Sequence, residues 1–113
     1  MAFNDIEFHA IKKEVKQFVE SIRPPVQIRS ELDIVYSISD QTVDIGQLRP
    51  VWRGEPGETH ILPNVRIRYV RSLDRWKLYW MRKDMKWHLY STELSLTDAL
   101  ELVRADPDYC FFG

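Results

Sequence analysis

The sequence contains a single cysteine, Cys110, so it cannot form an internal disulfide. One unpaired thiol fits the reducing conditions of the cytoplasm. No apolar run approaches the roughly 20 residues that a membrane span requires, and the first residues show no signal-peptide pattern. The four glycines form no phosphate-binding or dinucleotide-binding motif. We therefore expect a soluble, cytoplasmic protein without a cofactor.

The charge is nearly balanced overall but unevenly distributed. A net charge of −1 gives no global indication of nucleic-acid or membrane binding. Residues 66–86, however, contain eight Lys or Arg against two acids, and residues 91–113 contain five acids against one Arg. Such an asymmetry can mark a basic binding surface, although the two segments are also able to neutralise each other. The length suits one small domain, residues 1–113.

An amphipathic helix is predicted near each end of the chain. Asn4 and Glu7 have the spacing of a capping box, and apolar residues then recur at helical spacing as far as Ile22. The sequence 23–25, Arg-Pro-Pro, ends this helix because a residue before proline avoids the helical region. Ser95 caps a shorter C-terminal helix. The apolar tail at 109–113 is expected to pack on the core.

Between the helices, alternating apolar and polar residues predict an antiparallel meander of about five strands. A punctuated loop at 53–63 separates the second strand from the third. Two-residue turns at 40–41, 73–74 and 83–84 would set the strand registers. They predict the following opposite pairs: Ile38 with Val43, Tyr36 with Ile45, Val70 with Lys77, Arg68 with Tyr79, Trp80 with Trp87, and Leu78 with Leu89.

These registers divide the last three strands into two faces. One face is predicted to be core, and both helices are expected to cover it. Its members are Val65, Ile67, Tyr69, Trp76, Leu78, Trp80, Met85, Trp87 and Leu89. The other face is predicted to be basic and aromatic. Its members are Arg66, Arg68, Val70, Lys77, Tyr79, Met81, Lys86, His88 and Tyr90.

The basic and aromatic face is the candidate binding site. Seven of its residues have the side chains used on single-stranded nucleic acid, where cations follow phosphates and rings stack on bases. They are Arg66, Arg68, Lys77, Tyr79, Lys86, His88 and Tyr90. Lys, Arg and Tyr are also common on the solvent side of an antiparallel sheet. A protein partner or a homodimer interface is a further interpretation of this face.

An enzymatic function has weaker support. Asp74 together with the sequence 84–86, Asp-Met-Lys, has the residue types of a metal-dependent hydrolase or nuclease, in which carboxylates hold Mg²⁺. Both acids fall at predicted turns, however, where Asp is favoured by turn geometry alone. The three histidines have no metal-ligand spacing, so no metal site is predicted. The sequence favours a non-enzymatic binding or interaction domain.

Several motifs resemble the bacterial family known as domain of unknown function 3024. They include the Arg-Pro-Pro stop at 23–25, Leu-Arg-Pro at 48–50, Trp-Lys-Leu-Tyr-Trp at 76–80, Lys-Trp-His at 86–88 and Cys-Phe-Phe-Gly at 110–113. At position 30, where the family often has proline, this chain has serine. The resemblance implies a small intracellular protein of unknown function, and it supplies no catalytic residues.

Overall fold

Two helices and a five-stranded antiparallel sheet make up residues 2–112, the part of the chain that the computed structural model describes. In chain order the elements are α1 (Asp5–Ile22), a 3-10 helix (Val26–Ile28), β1 (Asp33–Ser39), β2 (Thr42–Pro50), β3 (Thr59–Val70), β4 (Arg75–Met81), β5 (Trp87–Glu93) and α2 (Leu96–Ala105). Each strand pairs with the next one along the chain. The predicted α+β fold, a meander between two helices, is confirmed.

Local sequence determines both ends of α1. The Asn4 side chain accepts a hydrogen bond from the Glu7 amide at 2.8 Å, and Glu7 Oε1 accepts one from the Asn4 amide at 3.0 Å. This reciprocal pair is the predicted capping box. At the other end Arg23 is extended, and its guanidinium donates two hydrogen bonds of 2.9 Å to Asp33. The end of the helix is thereby attached to the start of β1.

Both helices cover the same face of the sheet. Each has a buried apolar stripe, formed in α1 by Ile11, Val15, Phe18 and Val19 and in α2 by Leu96, Ala99, Leu100 and Val103. The sheet contributes six further buried side chains, which are Ile34, Val43, Ile45, Val65, Ile67 and Leu78. Burial of such aliphatic side chains stabilises the fold by about 1.5–3 kcal/mol each, before the entropy cost of ordering the chain.

The β1–β2 hairpin has the predicted register, with Ile38 opposite Val43 and Tyr36 opposite Ile45. The segment that follows corrects a prediction. Residues 59–63 belong to β3 and pair with the end of β2, although the sequence predicts a loop at 53–63. Two prolines and an adjacent bulge at Gly46 concealed the strand pattern. Glycine is required at this bulge, because a Cβ there would lie 2.7 Å from the Leu62 carbonyl oxygen.

The β3–β4 register is two residues away from the predicted one. Val70 lies opposite Arg75 and Arg68 lies opposite Lys77, so the loop has four residues, 71–74, rather than two. Asp74 has a positive φ of 49° and ends this loop. Since side chains alternate with a period of two, a shift of two residues leaves each side chain on its predicted face.

The β4–β5 register differs from the prediction by one residue next to the loop and by two residues beyond a bulge, where Leu78 lies opposite Ser91 rather than Leu89. The shift next to the loop has the larger consequences. Trp80 pairs with His88, and Met81 pairs with Trp87. The connecting loop contains one residue more than predicted, because Met85 adopts a positive φ of 61° and the Arg82 amide donates to the Lys86 carbonyl. A one-residue shift turns the strand over. The predictions that Trp87 and Leu89 are core residues, and that His88 and Tyr90 lie on the outer side, are therefore wrong. Met85, which was also predicted to be a core residue, lies in the loop and is 66% exposed.

Residues 110–112 pack on the core as predicted, whereas Tyr109, also predicted to do so, is 77% exposed. Phe111 is buried, and its carbonyl accepts a hydrogen bond of 2.9 Å from the Asn64 side chain. Both oxygens of the Asp106 carboxylate accept from backbone amides, those of Phe111 and Phe112. Gly113 lies outside the described residues. No helix between residues 2 and 112 combines the length and the apolar character needed to cross a membrane.

Candidate binding surface on the outer sheet face

The face of the sheet opposite the helices, here called the outer face, presents two cross-strand rows of side chains. The first row runs Asp44, Arg66, Tyr79, Leu89, and the second runs Thr42, Arg68, Lys77, Thr92. Met81 and Trp87 extend the face beyond the first row. The two rows bring four of the seven predicted site residues together, namely Arg66, Arg68, Lys77 and Tyr79.

Arg66 is held in a fixed position at the centre of the first row. Its guanidinium donates two hydrogen bonds to Asp44, of 2.8 and 2.9 Å, and lies 4.8 Å from the centre of the Trp87 ring. The hydrogen bonds to Asp44 raise the pKa of Arg66 above its ordinary value. A planar cation fixed on an aromatic ring is a rigid surface on which a flat ligand can stack.

Arg68 and Lys77 form a pair of like charges in the second row. They lie directly opposite each other on adjacent strands, and neither has an ion-pair partner among residues 2–112. Like charges directly opposite one another destabilise a sheet. The repulsion between these two cations lowers the stability of the isolated domain. An anion bound between or beside them would reduce this repulsion.

A cleft of about 430 Å³ opens between the two rows and the β1–β2 turn. Arg66, Arg68, Tyr79 and Trp87 form its cationic and aromatic wall. The turn contributes polar side chains at positions 40–42, including Asp40, which has a positive φ of 53°. The cleft therefore combines cations, rings and polar groups within the size range of small-ligand sites, about 300–1,000 Å³.

The other three predicted site residues lie elsewhere. His88 is on the covered side of β5, where its Nε2 lies 2.8 Å from Asp84 Oδ2. This contact lowers the pKa of Asp84. Tyr90 packs edge-on against Phe111, and its hydroxyl donates to Asp108, which raises the pKa of Tyr90 to about 12.

Lys86 is exposed in the β4–β5 loop, beyond the end of the two rows. It can still extend the positive surface, but it does not line the cleft.

Trp87 is the site residue that the sequence analysis missed, together with Leu89, which is 53% exposed. The sequence predicts both in the core because it predicts a two-residue turn at 83–84. Asp84 is the one residue whose type points to the longer loop. Asp is favoured in turns because its carboxylate can accept from a backbone amide two residues on, and here it accepts from the Lys86 amide at 3.0 Å. Met at the left-handed position gave no such signal, because glycine is the residue expected there.

The acids proposed for a hydrolytic site do not meet. Asp74 precedes β4 and Asp84 follows it, so the seven residues of the strand separate them by on the order of 20 Å. Two carboxylates at that distance cannot share a metal ion. Among residues 2–112 no group of three or more His, Cys, Asp or Glu side chains has an arrangement that could hold a metal.

The family model for a domain of unknown function, DUF3024, matches residues 3–113. The chain belongs to this family. The resemblance noted in the sequence motifs is thus confirmed over nearly the full length. The comparisons with curated proteins and with solved structures each gave no match. Family membership supplies no activity, so the functional interpretation rests on the outer face itself.

Proposed function

We propose that residues 1–113 form a single non-enzymatic binding domain whose outer face binds short single-stranded nucleic acid. The observation behind this proposal is the pair of unpartnered cations, Arg68 and Lys77, beside a cleft walled by Tyr79, Trp87 and the fixed guanidinium of Arg66. Phosphates would lie along the cations, and a base would stack in the cleft. A function in the bacterial cytoplasm agrees with the single cysteine.

The charge pattern supports a polymer with separated phosphates. Arg66 is largely neutralised by Asp44, so it offers a stacking plane and polar contacts rather than a full charge. Arg68 and Lys77 supply the uncompensated charge one row away. A ligand that joins a flat ring to a phosphate through a sugar matches this division of roles. Neither group reads base edges by itself, so we expect weak sequence preference.

Salt-dependent binding tests the proposal. A labelled oligothymidylate, titrated at low ionic strength and followed by fluorescence anisotropy, should bind with an affinity that falls steeply as salt is added. The double variant Arg68→Gln/Lys77→Gln should lower the slope of log affinity against log salt by roughly 0.7 for each cation removed. The matched control is Lys12→Gln/Lys13→Gln, which removes the same charge from the exposed side of α1. That control should bind like the wild type.

Stacking is tested at constant salt. Tyr79→Ala and Trp87→Ala should each weaken binding by about tenfold, since one base on one ring contributes about 1–3 kcal/mol. Trp87→Phe keeps a ring and should lose less. Absence of salt-sensitive binding by the wild type, or equal losses in the α1 control, would contradict the proposal.

A second candidate function is a homodimer that uses the other half of the outer face. An apolar groove of about 380 Å³ lies there, with Val35, Leu48, Ile61 and Pro63 among its lining residues, and Ile61 is 59% exposed. Exposed apolar surface of this kind is common at protein interfaces. Sedimentation equilibrium gives the mass in solution. A dimer that Ile61→Asp dissociates would support this candidate, and a monomeric wild type at high concentration would eliminate it.

A further inference from the structure

A second cleft lies on the covered side of the sheet, where the two helices diverge. α1 packs mainly over β1, whereas α2 packs over β3, β4 and β5. Between the C-terminal ends of the helices this divergence leaves a wedge of about 480 Å³, here called the helix wedge. Its walls are largely apolar and include Phe18, Ile22, Ile34, Val103 and Phe112. The volume falls within the range of small-molecule sites.

The polar groups around the helix wedge are mainly donors of hydrogen bonds. Gln47 faces it from β2, and although its oxygen accepts from Arg49 at 3.0 Å, its amide nitrogen has no partner among residues 2–112. Arg104 lines the wedge from α2. Its guanidinium lies 5.0 Å from the centre of the Phe18 ring, donates a hydrogen bond of 3.0 Å from Nη2 to Ser21 Oγ, and pairs through Nε with Glu101 at 3.7 Å. Neither polar contact uses Nη1, which can donate to a ligand.

The one carboxylate of the wedge is already engaged. Asp106 accepts hydrogen bonds from the amides of Phe111 and Phe112, at 3.1 and 2.9 Å, and so holds the tail in place. A bound cation would have to compete with these two amides for the Asp106 oxygens. A bound carboxylate, in contrast, would meet the unpartnered amide of Gln47 and the guanidinium of Arg104, which pairs well with carboxylates.

We propose that the helix wedge is a binding site for a small molecule with an apolar chain and a carboxylate head, such as a medium-chain fatty acid. The chain lies against the apolar walls, and the head accepts hydrogen bonds from Arg104 and Gln47. This site is separate from the outer face, so the two proposals stand or fall independently.

Calorimetric titration with decanoate, below the concentration at which it forms micelles, tests the site, with decanol and decylamine as probes of the head group. Decanoate should bind with a stoichiometry of one per chain, and decylamine should not bind. Ala105→Trp should abolish binding, because Ala105 lines the wedge at an exposed position where an indole can fill the space without entering the core. Failure of decanoate to bind, or undiminished binding by Ala105→Trp, overturns the proposal.

Two variants test the head group. Arg104→Met and Gln47→Leu should weaken decanoate binding, by about tenfold or more for the arginine, and should leave decanol binding nearly unchanged. Lys13→Met, which removes one charge from the exposed side of α1, is the matched control and should bind decanoate like the wild type. Equal decanoate affinity in Arg104→Met and Lys13→Met overturns the assignment of a carboxylate.

A further variant separates the two sites. Arg68→Gln/Lys77→Gln on the outer face should leave decanoate binding unchanged. Loss of decanoate binding in that variant, with binding retained in Ala105→Trp, would place the ligand on the outer face and overturn the helix wedge as its site.

Discussion

The two faces of the sheet hold their side chains in place by different means. On the covered face Val43, Ile67 and Leu78 are completely buried under the helices, and among residues 2–112 no buried side chain is polar or charged. On the outer face the central side chain is Arg66, held by an ion pair and by an aromatic ring. The covered face therefore supplies the hydrophobic stabilisation. The outer face tolerates charged and aromatic groups that the fold does not need.

Truncation of two adjacent residues of β4 gives the strongest test of this difference. Leu78→Ala should lower the free energy of unfolding by about 2–5 kcal/mol, because it leaves a cavity at a position with 0% exposure. Tyr79→Ala, one residue away on the outer face, should cost less than about 1 kcal/mol. Urea denaturation measures both. Equal losses would mean that the outer face contributes to stability as the covered face does.

Two Arg–Asp ion pairs of similar geometry, one joining α1 to β1 and one on the outer face, can also be compared by the stability that is lost when each is broken. Arg23–Asp33 joins α1 to β1, and its side chains are 24% and 15% exposed, whereas the Arg66–Asp44 side chains are 38% and 35% exposed. Asp33→Asn should therefore lower the free energy of unfolding by about 1 kcal/mol, and Asp44→Asn by less than about 0.5 kcal/mol. Thermal unfolding of the two variants provides the ranking, and a larger loss in Asp44→Asn would reverse it.

The Arg23–Asp33 pair also predicts a pH dependence. Hydrogen bonds from Arg23 lower the pKa of Asp33 below its ordinary 3.8. A carboxyl group whose pKa is lower in the folded state contributes stability above its unfolded pKa and loses it as the pH falls through the folded pKa. The wild type should therefore lose its advantage over Asp33→Asn as the pH falls below about 4. A constant difference down to pH 2 would contradict this assignment.

The sequence was sufficient for most of the fold because its patterns were local. The capping box at Asn4, the two prolines after α1 and the alternation in β1 and β2 each act within a few residues, and each is seen in the structure. The start of β3 was missed because one proline, Pro63, and a bulge interrupt its alternation at residues 59–64. Pairing with β2 across the hairpin, which no local pattern reveals, makes this segment a strand.

Loop lengths decided which residues of the candidate site could be predicted from the sequence. Arg66, Arg68, Lys77 and Tyr79 remain on the outer face because an error of two residues in the β3–β4 loop preserves side-chain alternation. In β5, the one additional residue in the preceding loop turns the strand over. Trp87 and Leu89 therefore lie on the outer face in place of His88 and Tyr90. The composition of the outer face thus depends on the conformation of one short loop.

That loop gives the smallest predicted effect and the most specific one. Met85 has a φ of 61°, which is a strained conformation for a residue other than glycine. Its side chain is 66% exposed, so replacing it removes little buried surface. Met85→Gly should raise the free energy of unfolding by about 0.5 kcal/mol, since glycine avoids the cost of about 1–2 kcal/mol for a left-handed residue but loses more chain entropy on folding. Lys83→Gly, in the same loop without a positive φ, should be destabilising. If both variants lose stability, backbone strain at Met85 does not lower the stability of the protein. The β4–β5 hairpin, which places Trp87 on the outer face, would then form without such a cost.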